Sequence, residues 1–475
     1  MLFNSLDFVV FLPLVFVLYW FVTKRSLRLQ NILIVIASYV FYAWWDYRFL
    51  ALIALSTIVD FFVAKQLNAA RAKSTRKLLL LVSLIFNLGL LAFFKYFNFF
   101  IESWVDAWKT LGVDMHVSTL KIILPVGISF YTFQTLSYTI DVYRNKLKPT
   151  SSFIQFAAFV SFFPQLVAGP IERATKLLPQ FSSKREFKTD FAMSGVYLII
   201  WGLFKKVVIA DNCAFFVNEI FSAPTDFSSV ELILGAVLFG FQIYGDFSGY
   251  SDIAIGVARL FGFSLMTNFS FPYFSRDIAE FWRRWHISLS TWFRDYLYIP
   301  LGGSRGGKWN KVRNVFIVFL ISGFWHGANW TFIAWGILHA ILFMPLLLMD
   351  RNRKFIESTK VSLNQLPSIF VTFTLVTIAW VFFRADSIAI ASQYIIDLLS
   401  FKSGNGFMFF KTSKKVLFSA IILFSIALLL IFEYKTIQKN KKEVQLTRAT
   451  AIFIALVICF MGVFKNPAEF IYFQF

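Results

Sequence analysis

Four histidines stand in the 475 residues, at His116, His286, His326 and His339, and imidazole is the side chain best suited to move a proton near neutral pH. His326 lies in the run Ser322, Gly323, Phe324, Trp325, His326, Gly327, Ala328, Asn329, Trp330, within an apolar stretch that starts at Val315. An ionisable group there is read as deep in a membrane, where it is costly and by default faces a cavity or a partner. A neutral histidine that ties two helices together is the plainer alternative. Gly323 and Gly327, four apart and expected on one helix, would clear a face for a close neighbour. His286 follows Phe281, Trp282, Arg283, Arg284 and Trp285, and that mixture reads as an amphipathic helix at the inner membrane face, either a basic anchor or the mouth of a site. His339 is expected to pack, and His116 to sit in an outer loop.

Two carboxylates, Asp246 and Asp252, interrupt an otherwise apolar helix from Tyr244 onward. Six residues apart, they point about 120° from one another by helix geometry and do not form one dyad. A proton pathway and a packed polar network explain them equally well. The turn Gly302, Gly303, Ser304, Arg305, Gly306, Gly307, Lys308 imitates a phosphate loop, but Trp309 stands where a magnesium-binding hydroxyl belongs. It reads as a flexible basic turn. No nucleophile elbow and no metal-ligand spacing occur.

The elements that must position these groups are membrane helices. Hydrophobic residues make up 58% of the chain and charged ones 15%, against about 25% charged in soluble domains. Twelve stretches can serve as spans: 8–22, 31–45, 49–64, 78–94, 122–142, 191–209, 232–260, 315–330, 332–349, 369–383, 416–432 and 451–464. A thirteenth, 153–168, is expected to enter and return, broken near Pro164. The first run lacks a cleavage pattern and reads as a retained span. Lys and Arg cluster between the runs, so the formal charge of +20 reads as cytoplasmic loops rather than a nucleic-acid surface. This puts the N-terminus outside and gives 11 or 12 crossings in a single domain, 1–475, with its chemistry centred on about 240–345. Cys213 and Cys459 give neither a metal site nor a disulfide framework.

At Trp282 to His286, Pro300 to Gly307 and Trp325, His326, Gly327, the sequence resembles the membrane-bound O-acyltransferase family, in its bacterial branch typified by the alginate O-acetylation membrane protein. Further similar runs are Gly169 to Arg173, Phe204 to Asp211, Tyr244 to Asp252, Arg276 to Ile278 and Trp380 to Ala385, in order along nearly the whole chain. The resemblance implies an all-α polytopic fold of about 11–12 transmembrane helices ringed around a funnel or tunnel. It implies an essential His326 with His286 as its pair. Asp246, Asp252, Tyr244, Trp325 and Asn329 become candidates for supporting or charge-relay roles, and Arg283, Arg284 and Arg305 for contacts to the donor. The expected reaction carries an acyl group, acetyl in the first instance, from cytosolic acetyl-CoA toward an exported polysaccharide, with no bound cofactor or metal and no nucleic acid. His326 would take the hydroxyl proton. A separate periplasmic or extracellular acetyltransferase and a place in the bacterial inner membrane are implied as well. Related members carry D-alanine to cell-envelope polymers, which keeps the acyl group open, and a polysaccharide or ion transporter is the rival from another class.

Overall fold

A computed structural model of the chain describes every residue except 116, 118, 121, 168, 357–359, 404–406, 466–467 and 472–475. His116 and the last residue of the stretch 153–168 thus lie outside the described residues. Among those described there are helices and loops and no strand, the outcome that apolar segments must reach in lipid, where each backbone group needs a partner.

The chain groups into two compact units, one of residues 1–195 and 257–266, the other of 196–256 and 267–475. The first contains α1 (Leu6–Val17), α2 (Leu27–Asp46), α3 (Leu50–Ala69), α4 (Lys73–Leu91), α5 (Phe97–Thr110), α6 (Ile128–Tyr143), α7 (Phe153–Ser161), α8 (Phe163–Leu166) and α9 (Ala174–Ser182). α10 (Thr189–Leu203) starts there and continues into the second unit, which holds α11 (Asp211–Ser222), most of α12 (Ser229–Leu260), α13 (Ile278–Arg284), α14 (Ile287–Phe293), α15 (Lys308–His326), α16 (Trp330–Leu348), α17 (Leu366–Arg384), α18 (Ile388–Leu399), α19 (Ser413–Gln438) and α20 (Arg448–Met461).

Seven described stretches are long and apolar enough to cross a membrane. Four of them, of 32 to 43 residues, are longer than one crossing of about 30 Å needs at 1.5 Å per residue. Leu27–Ala69 has 43 residues and is broken where Asp46 is extended (φ −161°) between α2 and α3, so it accommodates both expected spans. The stretch 153–168 is broken as expected, with Phe162 outside helical geometry between α7 and α8. The apolar helix α18 escaped the sequence reading, being only 12 residues long.

One expected span is corrected. The stretch 315–330 is not continuous: α15 stops at His326, Gly327 is extended at φ −160°, and Asn329 caps α16 by accepting the Thr331 N–H at 3.0 Å. Gly327 therefore shares no helix face with Gly323. The glycine that does meet Gly323 is Gly336, on α16. A Cβ on Gly323 would collide with the Phe332 carbonyl, and one on Gly336 with the Phe319 carbonyl. Backbone-to-backbone approach makes α15 and α16 a tight hairpin with His326 at its tip.

Candidate active site

His286 and His326 are forty positions apart in the chain and adjacent in the fold. Their ring centroids are 6.3 Å apart, and Trp325 lies 5.9 Å from His286. Trp335 at 5.0 Å and Phe383 at 5.4 Å meet the His326 ring edge-on, while Phe247 does the same to His286 at 4.6 Å. Both histidines are buried. Two nitrogens that each reach a shared atom at about 3 Å can lie about 6 Å apart, so one reacting centre can be served by both rings. His326 is also the last residue of α15, where the unpaired carbonyls of the final turn favour positive charge by roughly 0.3–1 kcal/mol.

The segment carrying His286 is not one continuous helix. α13 and α14 are separate short helices, and His286 joins them in the left-handed region, at φ 42°. That conformation costs a non-glycine residue about 1–3 kcal/mol and persists only where its surroundings enforce it. The charges that argued against burial neutralise one another inside the fold. Glu280 accepts Arg276 at 2.8 Å and Arg284 at 2.7 Å, with a further bond from the Arg276 amide at 2.7 Å. The 276, 280, 284 spacing, four apart, was legible, although Arg276 precedes α13 and reaches Glu280 from the turn before it; the reading missed Glu280.

Asn268, also missed, holds His286 from the other side. Its Oδ1 lies 3.1 Å from His286 Nδ1, and accepts the Ser288 amide at 3.2 Å and the Ser288 hydroxyl at 2.8 Å. Burial without a charged partner pushes the His286 imidazole down to about 3. His286 is therefore neutral at physiological pH.

The two aspartates are accounted for by a pair of lysines. A π-helical turn, Phe204–Ala210, turns both Lys205 and Lys206 onto the buried face. Lys205 pairs with Asp252 at 2.6 Å, and Lys206 with Asp246 at 2.8 Å and Asp211 at 2.9 Å. Glycines allow this: a side chain on Gly245 or Gly249 would strike the Lys205 or Gly202 carbonyl. Tyr244 donates to Glu433 at 2.5 Å, a buried carboxylate on α19 that the sequence reading also missed. These groups form packed ion clusters, tied further into the fold by Lys205 donating to Ser248 Oγ at 2.9 Å.

The remaining expected residues divide. Trp325 walls the chamber. Asn329 is used in capping, and its amide donates to Asp386 O at 3.0 Å. Arg284 is held by Glu280, and Arg283 donates to Asn352 O at 2.7 Å. Arg305 is exposed in a turn whose glycines 302, 303, 306 and 307 all have positive φ. His339 packs as expected, accepting from Trp282 Nε1 at 3.3 Å and meeting Trp335 edge-on at 4.9 Å.

A cavity of about 250 Å³ runs beside α15, between the polar side chains of Arg294, Arg353, Asn352, Tyr298 and Ser304 and the apolar walls Trp282, Leu289, Phe293 and Phe319. Ser322 lines it, one helical turn before His326.

The sequence profile of the membrane-bound O-acyltransferase family matches residues 143–385. The chain is 42% identical over 404 residues to a probable alginate O-acetylase, AlgI, of Azotobacter vinelandii, covering 84% of this chain and 78% of that protein. It is 38% identical over 427 residues to a peptidoglycan O-acetyltransferase of Helicobacter pylori, covering 83% and 79%. To a teichoic acid D-alanyltransferase of Streptococcus thermophilus it is 32% identical over 292 residues, covering 54% and 68%.

Proposed function

Because the chain belongs to the membrane-bound O-acyltransferase family and is a multi-pass O-acyltransferase, we propose that it transfers acetyl from cytosolic acetyl-CoA toward a hydroxyl of an exported cell-surface polysaccharide. The observation that carries the chemistry is the buried pair His286 and His326, with ring centroids 6.3 Å apart. His326 takes the proton of the attacking hydroxyl. The new C–O bond forms at the acetyl carbonyl, the C–S bond breaks, and the departing thiolate recovers the proton. Aromatic walls keep water from the thioester, which limits its hydrolysis.

In this reading the donor enters beside α15, its anionic nucleotide end near Arg294 and Arg353 and its thioester arm along Phe319 toward Ser322, the residues that line the cavity there. The alginate and peptidoglycan acetyltransferases among the relatives support acetyl and a glycan acceptor. The teichoic acid relative makes D-alanyl the second reading for the acyl group. Placement in the bacterial inner membrane follows from the family and its bacterial relatives, and an N-terminus on the outside rests on the Lys and Arg distribution. Completion of transfer by a separate extracytoplasmic acetyltransferase belongs to the same reading, as does a single 1–475 domain.

Purified chain in liposomes, given acetyl-CoA labelled in the acetyl group, is expected to move label from thioester to an alcohol acceptor. Polymer movement with the thioester intact would instead establish transport. Ser322→Trp fills the cavity next to the site and is expected to raise the donor KM about 10-fold or more with kcat nearly unchanged. An unaltered KM places the donor elsewhere.

A further inference from the structure

The environment of His286 specifies which of its nitrogens carries the proton. The Ser288 backbone N–H can only donate, and it donates to the same Asn268 side-chain atom, at 3.2 Å, that faces His286 Nδ1 at 3.1 Å. That atom is therefore the amide oxygen. The opposite end of the amide agrees, since its Nδ2 donates to Ser251 Oγ at 3.1 Å. An oxygen that faces Nδ1 requires a hydrogen on Nδ1. The Ser288 hydroxyl, 3.4 Å from Nδ1, gives its own proton to the same oxygen at 2.8 Å and leaves a lone pair for Nδ1–H. In a neutral ring the remaining lone pair then belongs to Nε2. That atom is fully buried and has no hydrogen-bond partner among the described residues.

A buried acceptor without a partner is rare and calls for an explanation. The ring neighbours of His286 are Phe247, Phe269, Trp325 and His326; no carboxylate is hydrogen-bonded or ion-paired to it among the described residues. His326 is the titratable group at its side. Once His326 has taken a hydroxyl proton, the positive charge sits in an aromatic chamber where solvent cannot stabilise it.

We infer that Asn268 is a positioning residue for acyl transfer: it locks His286 as the Nδ1–H tautomer, so that its free Nε2 lone pair is what His286 offers to stabilise the positive charge His326 takes on beside it. The inference rests on the acyltransferase reading for its chemistry and on the hydrogen-bond geometry around Asn268 for the tautomer. The hydroxyl O–H bond breaks as the His326 N–H bond forms, and the positive charge is shared toward His286 Nε2. When the C–S bond breaks, the sulfur takes that proton and both rings return to neutral. His286 is a proton-charge acceptor of fixed polarity, and the polarity comes from a residue that touches no substrate.

The test uses the full chain labelled with nitrogen-15 histidine in liposomes, where four histidines give a readable nitrogen spectrum and His286→Gln assigns the signal. The wild type is expected to show His286 as Nδ1–H. Asn268→Leu removes the acceptor and should shift the signal toward the Nε2–H form, with kcat down about 10- to 10²-fold and KM little changed. Asn268→Asp keeps an oxygen at the same place and should retain both the tautomer and most of the activity. A wild-type Nε2–H signal, or an Asn268→Leu variant with unchanged tautomer or kcat, overturns the inference, as does Asn268→Asp that folds yet loses activity equally. Wild-type protein with the Nδ1–H signal and no acetyl transfer would instead sink the acyltransferase reading and leave the tautomer standing.

Discussion

His326→Ala is expected to lower acyl transfer about 10³- to 10⁴-fold, near the upper end of what a positioned acid-base group contributes, while the chain stays inserted and folded. The high figure follows from its surroundings. An attacking hydroxyl at neutral pH is nearly all protonated, and His326 is buried against Trp325, Trp335 and Phe383, where a bulk base has little access to replace the missing ring. Packing loss at the hairpin tip must be separated from chemistry. His326→Gln keeps most of the volume without a proton acceptor of suitable basicity, so it should be nearly as inactive as alanine and melt closer to wild type. His339→Ala is the contrasting control. His339 is bonded to Trp282 and stacked among rings, so its loss should lower thermal stability more than kcat. Label transfer from acetyl-CoA and thermal unfolding in detergent, measured on the same preparations, decide between these. His326→Ala with more than a tenth of wild-type rate would remove this histidine from the mechanism.

The histidine pair itself was legible because few residue types survive in apolar segments without a reason. Among so many phenylalanines and leucines, His286 and His326 stood out, and the fold brings their rings to 6.3 Å. The break after His326 was legible too, and was passed over. Glycine directly after a helical run and asparagine two residues later are a stop followed by an N-cap, but the hydropathy of 315–330 masked the signal. The reverse error occurred at His286. Charge content argued for an interface, whereas Glu280 between Arg276 and Arg284 neutralises the segment and lets it enter the core. Composition reports how many charges a stretch holds, and burial depends on whether they pair.

Other partners could not be read from spacing at all. Asn268 lies 18 positions from His286, and Glu433 lies 189 from Tyr244. Such pairings depend on how helices are brought together, which a single sequence does not encode locally. The two aspartates show the intermediate case. Their separation by six residues correctly argued against a dyad, and the lysines that pair with each were visible as an adjacent pair. Their matching required a π-helical turn that no residue pattern announces.

Lys206→Met is expected to be the most destabilising single change outside the histidine chamber, by about 3–5 kcal/mol, the range for removing one partner of a buried ion pair. The Lys206 ammonium, 1% exposed, pairs with both Asp211 and Asp246, whose side chains are 0% and 4% exposed. Without it, two carboxylates face one another in an apolar interior and one must be neutralised. The consequence reaches the end of the chain: Lys206 also donates to Ala468 O at 3.0 Å, and Asp246 accepts the Ile471 amide at 2.7 Å. These bonds seat Phe470 4.2 Å from the Tyr250 ring and 6.4 Å from Phe247, the ring that meets His286. Lys206→Met should therefore expose the segment around Phe470 to protease as it lowers the melting temperature. Adding Asp246→Asn removes one of the two orphaned charges and keeps an amide oxygen for the Ile471 N–H, so the double variant should recover part of the stability. A double variant less stable than Lys206→Met alone would show that the three charges do not act as one cluster.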